Sequence, residues 1–442
     1  MAKNKFLIIH VGDMDNKGSE ALLRSDVSVI KESLNGNVDL SVSTVNVQRV
    51  KELNLPLETV VPPVVDIPYK TADVLAKKSG VNRNTIRYKI LAIASLIYMF
   101  IQIELSIISS VFVKLGLKSL YRGKFFNQMK SCDLVISCSD ENFKEAASLL
   151  PSNFYWVLTW WTMLLQRTFE ISVAKFIGKP IVLFPNSIGP FKTLVGRFLS
   201  KLALNNCRYL LLREPRSYEI AESLKIGSNK LLTSDIALLF KTTKVTDSEG
   251  FSHPVIGVCP GIYRYSLSDK MVQKYISDHA IALDLAIEKY GFNVVFSPHY
   301  VSNLEYDDLE ICKLILAKMK NQDRAKIVVA SDVEEFKSIL VCMDMLIASK
   351  MHPGVMAISG YVPTLSIAYD HKQTGFFEQL GLEDCIIPIT ETSSEKILGK
   401  IDHIWKERDR ILALLHKRVP ELQEDTLQAV KEAIAPFIKV ID

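Results

Sequence analysis

The chain has 442 residues, 48% of them hydrophobic and 23% charged, the balance of a folded globular protein and too long for one ordinary core, so two domains are expected. A net charge of +4 with no block of like charge argues against a nucleic-acid partner. The seven cysteines are scattered without a C-x-x-C pair, so neither a disulfide framework nor a zinc site is suggested, and a reducing, cytoplasmic setting fits.

In chain order, residues 6–10 (FLIIH) read as a buried first strand, an apolar run too short for a signal peptide. A loop over 11–18 leads to a helix from about Ser19, with Ser19 as its expected cap and Glu20 favouring its first turn. This opening is Rossmann-like but has too few glycines for a dinucleotide fingerprint; a ligand there would meet backbone N–H groups, Asn16 and Lys17. Residues 38–45 alternate as a second strand.

Residues 90–113 carry a single charge, Glu104, over a length able to span a bilayer. Three readings are open: a core helix or helical hairpin, a helix docked on a membrane surface, and a span. Basic residues flank both ends alike (Arg83, Arg87 and Lys89; Lys114, Lys118, Arg122 and Lys124), and both flanks read as parts of one α/β domain, which counts against the span. The aromatic residues Phe154, Tyr155, Trp156, Trp160 and Trp161 add weight to membrane contact.

A strand at 132–137 is followed by the loop 138–142. A helix over 156–177 stops at Gly178. Strands at 181–184 and 209–212 carry the loops 185–190 and 213–217 at their carboxyl ends. The first domain is thus residues 1–242, with an apolar helical insertion at about 85–125, and the polar stretch 241–253 is the linker. The alternation then restarts as a second domain, 251–442. Strand 255–259 ends near Arg264, helix 269–290 stops at Gly291, strand 293–296 ends at His299, and helix 305–320 precedes strand 327–329. Residues 344–372 form a compact βαβ unit: strand 344–348, a helix with Pro353 in its first position and Gly360 as its stop, and strand 364–368. The tail, 393–440, is amphipathic and helical. The fold class is α/β, two Rossmann-like doubly wound domains.

Lys350, His352, His371 and Lys372 lie in loops that follow strands of that βαβ unit, where an open parallel sheet binds ligands. The helix N-terminus beside them favours a small anion such as a phosphate or a carboxylate.

A series of short stretches in order resembles the polysaccharide pyruvyl transferase family: NKGSEAL from Asn16, FPNSIGPF from Phe184, LREPRS from Leu212, SDIA from Ser234, ASKMH from Ala348 and GYVPTLSIAYDHK from Gly360. The chain departs from the family where Lys350 replaces an arginine, where 138–142 replaces a glycine cluster, and in the 90–113 insertion. The resemblance implies a two-domain, GT-B-like enzyme that transfers a pyruvyl group from phosphoenolpyruvate to two hydroxyls of a sugar, on a polysaccharide or lipid-linked precursor, without a metal or nicotinamide cofactor. It further implies His352 as the acid/base group. Lys350, His352, His371, Lys372, Arg264 and His299 are then candidates for the donor, and Asn16, Lys17, Asn186, Ser187 and Arg213 for the acceptor. Arg213 also has a reading as part of the interdomain wall, and Asp235 as a cap. Two other functions share these features: a GT-B glycosyltransferase using a nucleotide sugar, and a non-catalytic, membrane-peripheral glycan-binding protein. The expected location is cytoplasmic, at the inner face of the membrane if 90–113 docks there.

Overall fold

The computed structural model describes residues 3–81, 85–117, 123–145, 154–242, 244, 250, 252–262, 268–301 and 307–439. The first part runs β1 (Asn4–Ile9), α1 (Lys17–Ser33), β2 (Val38–Ser43), α2 (Val47–Glu52) and β3 (Thr59–Val61). After these come α3 (Pro68–Ser79), α4 (Ile86–Lys114), α5 (Lys124–Ser131), β4 (Leu134–Ser137), β5 (Asp140–Phe143) and α6 (Phe154–Ile177). It closes with β6 (Ile181–Ile188), α7 (Leu194–Asn205), β7 (Tyr209–Leu212), α8 (Pro215–Ser223) and β8 (Asn229–Leu232). The second part is β9 (Val255–Cys259), α9 (Asp269–Tyr290), β10 (Asn293–Phe296), α10 (Asp308–Lys318), β11 (Ala325–Ile327) and α11 (Val333–Val341). Then follow β12 (Met345–Ala348), α12 (Met351–Ile358), β13 (Thr364–Ala368), α13 (His371–Leu380), β14 (Ile386–Pro388), α14 (Ser394–Lys406) and α15 (Arg408–Ile434).

The two expected doubly wound sheets are present. One has the order β3-β2-β1-β4-β6-β7-β8, with β5 beside β6, and the other β11-β10-β9-β12-β13-β14. Every pairing is parallel, so both faces are covered by helices and the strands are almost wholly apolar and buried. The order reverses between β1 and β4 in one sheet and between β9 and β12 in the other, and the loops leaving those strands face the crevice between the domains.

Several local expectations shift. β6 continues past Phe184 to Ile188 although it contains Pro185; the ladder with β7 slips register between Leu183 and Asn186, which accommodates the missing N–H. α1 starts at Lys17, and Asn16, not Ser19, is its cap, its Oδ1 accepting from Gly18 N at 2.9 Å. α12 starts at Met351, which puts Pro353 in its third position. The left-handed residue beyond it is Tyr361 (φ 63°), not Gly360. Gly360 is required for a different reason: a Cβ there would stand 2.4 Å from Val341 Cγ1.

Residues 90–113 belong to one unbroken helix, α4, so the hairpin is excluded. The core reading also fails. Only the stripe Tyr88, Ser95, Met99, Ser106, Ser110 and Val113 is buried, while the opposite isoleucines are open. Tyr88 Oη donates to Asp73 Oδ1 (2.6 Å) and Gln102 Nε2 to Asp66 Oδ2 (2.9 Å), which anchors the buried stripe to the domain. The side chains of Phe154, Tyr155 and Trp156 lie outside the described set. None of the seven cysteines forms a disulfide, and six of them are buried as small core hydrophobes.

The tail does not stay with the second sheet. α15 crosses back over the first, where Thr426 Oγ1 accepts from Ser234 N (3.0 Å) and Gln423 Nε2 donates to Leu238 O (2.7 Å). One hydrophobic core consequently runs from α1 and β1 through the short turn Ile236–Leu239 and α15 into the second sheet. A continuous apolar seam of this kind holds the facing loops in a set relation.

Candidate active site

α12 leaves β12 at the second switch point, so His352 is fixed in the first turn of a helix. α1 leaves β1 at the first switch point, and its Gly18 lies flat against the His352 ring: a Cβ at Gly18 would stand 2.3 Å from Nδ1. Two helix N-termini, one from each domain, thus converge on one imidazole. His352 Nε2 lies 3.9 Å from Asp235 Oδ2 and makes no hydrogen bond. Burial lowers the pKa of His352, with Asp235 opposing and Arg213 assisting, so the ring is held neutral. His299, its near-parallel neighbour at 6.3 Å, has both ring nitrogens unbonded; burial first, then Lys350, His352 and Lys17, hold it well below the usual histidine range.

Arg213 and Asp235 form a fully buried pair, Nη1 to Oδ2 at 2.7 Å. Arg213 Nε donates to Ser187 Oγ at 2.8 Å, and Nη2 has no hydrogen bond. Burial opposes the charge on Arg213, but Asp235, Asp140, Glu141 and Glu214 outweigh it and raise its pKa. Asp235 also caps the turn that follows, accepting from Ala237 N at 2.9 Å, so the wall and cap readings of this pair both describe its geometry.

Of the remaining cations, Lys350 and Lys372 are held by acids from distant elements. Lys350 Nζ meets both Asp308 carboxylate oxygens, at 2.6 and 2.7 Å. Lys17 turns toward the second sheet, with Nζ 3.5 Å from His299 O and 5.6 Å over the Phe336 ring; burial lowers its pKa against the pull of Asp308. Lys372 and Lys144 both lie 2.7 Å from Glu141 Oε2. Burial would raise the Glu141 pKa, but the two ammonium groups take it well below the carboxylate range, and Glu141 in turn outweighs burial to raise Lys372. His371 Nδ1 pairs with Asp370 (2.7 Å), while its Nε2 is unbonded, 3.7 Å from Glu214.

The structure therefore brings His299, Lys350 and His352 together with Lys17 and Arg213 at the seam, and sets His371 and Lys372 on an adjoining wall. Arg264 lies outside the described residues. Two candidates for acceptor contact are corrected. The Asn186 side chain is fully buried and used up, with Oδ1 accepting from Asn142 N and Nδ2 donating to the carbonyls of Cys138 and Phe184. Ser187 is buried behind Arg213 and positions its guanidinium. Asn16 spends its oxygen on the α1 cap.

Sequence reasoning did not pick out Asp308, Glu141 or Lys144, nor a polar cavity of about 200 Å³ at the first switch point. Its lining includes His10, Asp13, Tyr69, Lys70, Trp160 and Arg167. His10, in a left-handed conformation (φ 62°), places Nδ1 2.9 Å from Ser137 Oγ and Nε2 3.4 Å from Glu170. Burial and then Arg167 lower the His10 pKa far, and burial pushes Glu170 up to about 8, so this is a neutral pair. The available signal was His10 at the end of the first apolar run, and Arg167 and Glu170 a turn apart on an otherwise apolar helix. Among the described residues no three His, Cys, Asp or Glu side chains are placed to hold a metal.

Among proteins of known sequence, the amylovoran biosynthesis protein AmsJ of Erwinia amylovora is 21% identical over 266 residues, 55% of this chain and 62% of that protein, so the match spans less than two-thirds of the relative. Among solved structures, the UDP-GlcNAc 2-epimerase of Neisseria meningitidis bound to UDP-GlcNAc superposes with a TM-score of 0.54 at 8% identity, over 98% of this chain and 100% of that one. Phytolacca americana UGT2 complexed with UDP-2fluoro-glucose and pterostilbene gives 0.55 at 11% identity, over 98% and 99%. At these identities the likeness is one of fold, and it is the GT-B-like pair of sheets. The polysaccharide pyruvyl transferase model matches residues 48–371, well over half of the sequence, and the chain belongs to that family.

Proposed function

We propose that the protein transfers a pyruvyl group from phosphoenolpyruvate to two hydroxyls of one sugar residue in a surface-polysaccharide precursor, forming a cyclic ketal and releasing phosphate. The observation that carries this reading is a set of buried nitrogens without hydrogen bonds, His352 Nε2, Arg213 Nη2 and both nitrogens of His299, at a seam where two helix N-termini meet. Buried polar nitrogens of this kind are normally satisfied, and a small dianion bearing a phosphate and a carboxylate accepts from the Arg213 guanidinium and from the one N–H that each neutral imidazole carries. AmsJ, named for amylovoran biosynthesis, supports the polysaccharide context.

In this reading the donor's vinyl carbon takes a proton and the adjacent carbon becomes electrophilic. One sugar hydroxyl adds to that carbon, the C–O bond to phosphate breaks, and a second hydroxyl closes the ketal. Of the two hydroxyl protons, one balances the new methyl group and the other leaves with phosphate. His352, neutral before binding, gains basicity beside the phosphate and relays the proton. Arg213 takes a donor-side role through Nη2. The cavity lined by His10, Asp13, Tyr69, Trp160 and Arg167 takes the sugar, whose hydroxyls suit its mixed acceptors and donors and whose ring suits an indole face. No metal or nicotinamide is needed for these steps, and phosphoenolpyruvate places the reaction on the cytoplasmic side.

The test is incubation of purified protein with phosphoenolpyruvate or UDP-sugars and a panel of lipid-linked acceptors. Phosphate release that requires both phosphoenolpyruvate and acceptor is expected. UDP release would replace this reading with glycosyl transfer, and saturable glycan binding without turnover would make the protein a binding module.

A further inference from the structure

α4 is only one part of a larger exposed apolar face. α3 packs on α4, α4 on α6, and α6 on α7, and each contributes open hydrophobic side chains to this series. On α4 these include Ile93, Ile97 (57% exposed) and Ile108; on α7, Leu194 and Phe198 are 82% and 66% exposed. On α7, Ala203 and Leu204 are buried in the core, while Leu194, Val195, Phe198 and Leu202 point outward. Lys114 Nζ sits 4.3 Å over the Phe176 ring and ties the end of α4 to the end of α6. Most of the exposed large hydrophobics among the described residues lie on this run of packed helices, and a concentration of that kind is an interaction surface.

The charges around it say what covers it. On these four helices the exposed Lys and Arg residues are Lys77, Lys78, Arg87, Lys89, Lys114, Lys175, Arg197 and Lys201, against a single exposed acid, Glu104. A twofold contact with a second copy would press this basic rim against its own likeness. Anionic headgroups complement it.

The orientation follows from the buried stripe of α4. Tyr88, Ser95, Met99, Ser106, Ser110 and Val113 recur at helical spacing from one end to the other, so the helix lies along the domain over its whole length. Such a helix rests in the plane of an interface. Crossing is excluded on the same ground: β1 pairs with β2, whose chain continues into α4, and with β4, which follows it, so both flanks stay in one sheet.

We infer that the α3–α4–α6–α7 face docks the protein on the surface of an anionic bilayer, with α4 and α7 in the interface plane and the basic rim among the headgroups. This does not depend on the identity of the pyruvyl donor.

The experiment is co-sedimentation of the full chain with phosphatidylcholine vesicles, with and without phosphatidylglycerol. Binding is expected with the anionic vesicles and should weaken as salt rises. Ile97→Glu and Phe198→Glu, on two different helices, should each weaken binding about tenfold or more, with melting temperature unchanged. Arg197→Gln/Lys201→Gln should weaken it and reduce its salt dependence, and Glu104→Gln should tighten it. Absence of binding to anionic vesicles overturns the inference. So does equal binding to purely zwitterionic vesicles, or a dimer in sedimentation velocity that Ile97→Glu dissolves.

Discussion

The two sheets break at equivalent places, yet their switch points are furnished with opposite chemistry. At the first, acids, amides and hydroxyls predominate: Ser139 N and Oγ donate to Asp26, Asn142 N donates to Asn186, and His10 faces Glu170 as a neutral pair whose facing atoms, Nε2 and Oε2, make no hydrogen bond. At the second, and across the seam from it, the Arg213 guanidinium leaves Nη2 unbonded beside the two neutral rings of His299 and His352, which leave ring nitrogens unbonded. On the proposed function, the same topology supplies one recess for the hydroxyls of a sugar and one for an anion. Where a ligand binds is set by strand order; what binds is set by the side chains that the loops carry.

The sharpest way to break that comparison is to remove one histidine from each side. His352→Ala is expected to lower ketal formation by about 10²–10⁴-fold with no change in melting temperature. His10→Ala should instead raise the acceptor KM and leave the phosphoenolpyruvate KM alone. Equal effects of both variants on both substrates would erase the distinction. Next in size is Arg213→Ala, which strands Asp235 as a buried, unpaired charge and should cost about 3–5 kcal/mol in urea unfolding. A loss below about 1 kcal/mol would show that the pair adds little to the fold.

Gly18→Ala probes the contact between the recesses directly. Its methyl group meets the His352 ring, so about 1–3 kcal/mol of stability should be lost together with turnover, and His352→Ala should restore the stability but not the turnover. Failure of that rescue would separate Gly18 from His352.

The smallest effect is the pH slope. Glu170 and Asp26 have folded pKa values raised to about 8 and about 7, from 4.5 and 3.8. Each holds a proton in the folded state that the unfolded chain has released, so each costs stability as pH rises between those limits. His10, with its pKa lowered by burial, acts in the opposite sense, but only below its unfolded value of 6.5. Between about 7 and about 8 the Glu170 contribution stands without those of Asp26 and His10, and stability should fall by about 1.4 kcal/mol per pH unit. Glu170→Gln should flatten that slope; an unchanged slope would place the proton elsewhere.

Much of the frame was legible because it rests on local chemistry. The βαβ unit around His352 and the left-handed stops at Gly178 and Gly291 follow from short-range pattern. What was not legible depended on residues far apart in sequence. Lys350 and Lys372 stand out as strand-end cations, but their acids, Asp308 and Glu141, lie 42 and 231 positions away. Asn186 belongs to a family stretch and looked like a ligand contact, whereas its amide bonds are spent holding β5 and β6 together. α4 and α6 are the other instance. Both are long and apolar, yet α6 buries Leu164, Ile171 and Ala174 under the first sheet while α4 lies outside it. Hydropathy records how apolar a helix is and not which neighbour arrives to cover it.

The crossing of α15 has a consequence for how the chain is made. Lys439 N donates to Asn4 Oδ1 (2.9 Å) and Lys439 Nζ pairs with Asp133 (2.8 Å), so the opening strand is closed off by a residue synthesised 435 positions later. Domains emerging from the ribosome fold in order of appearance. Here the first sheet stays without its last cover, the apolar face of α15, until the second has been built.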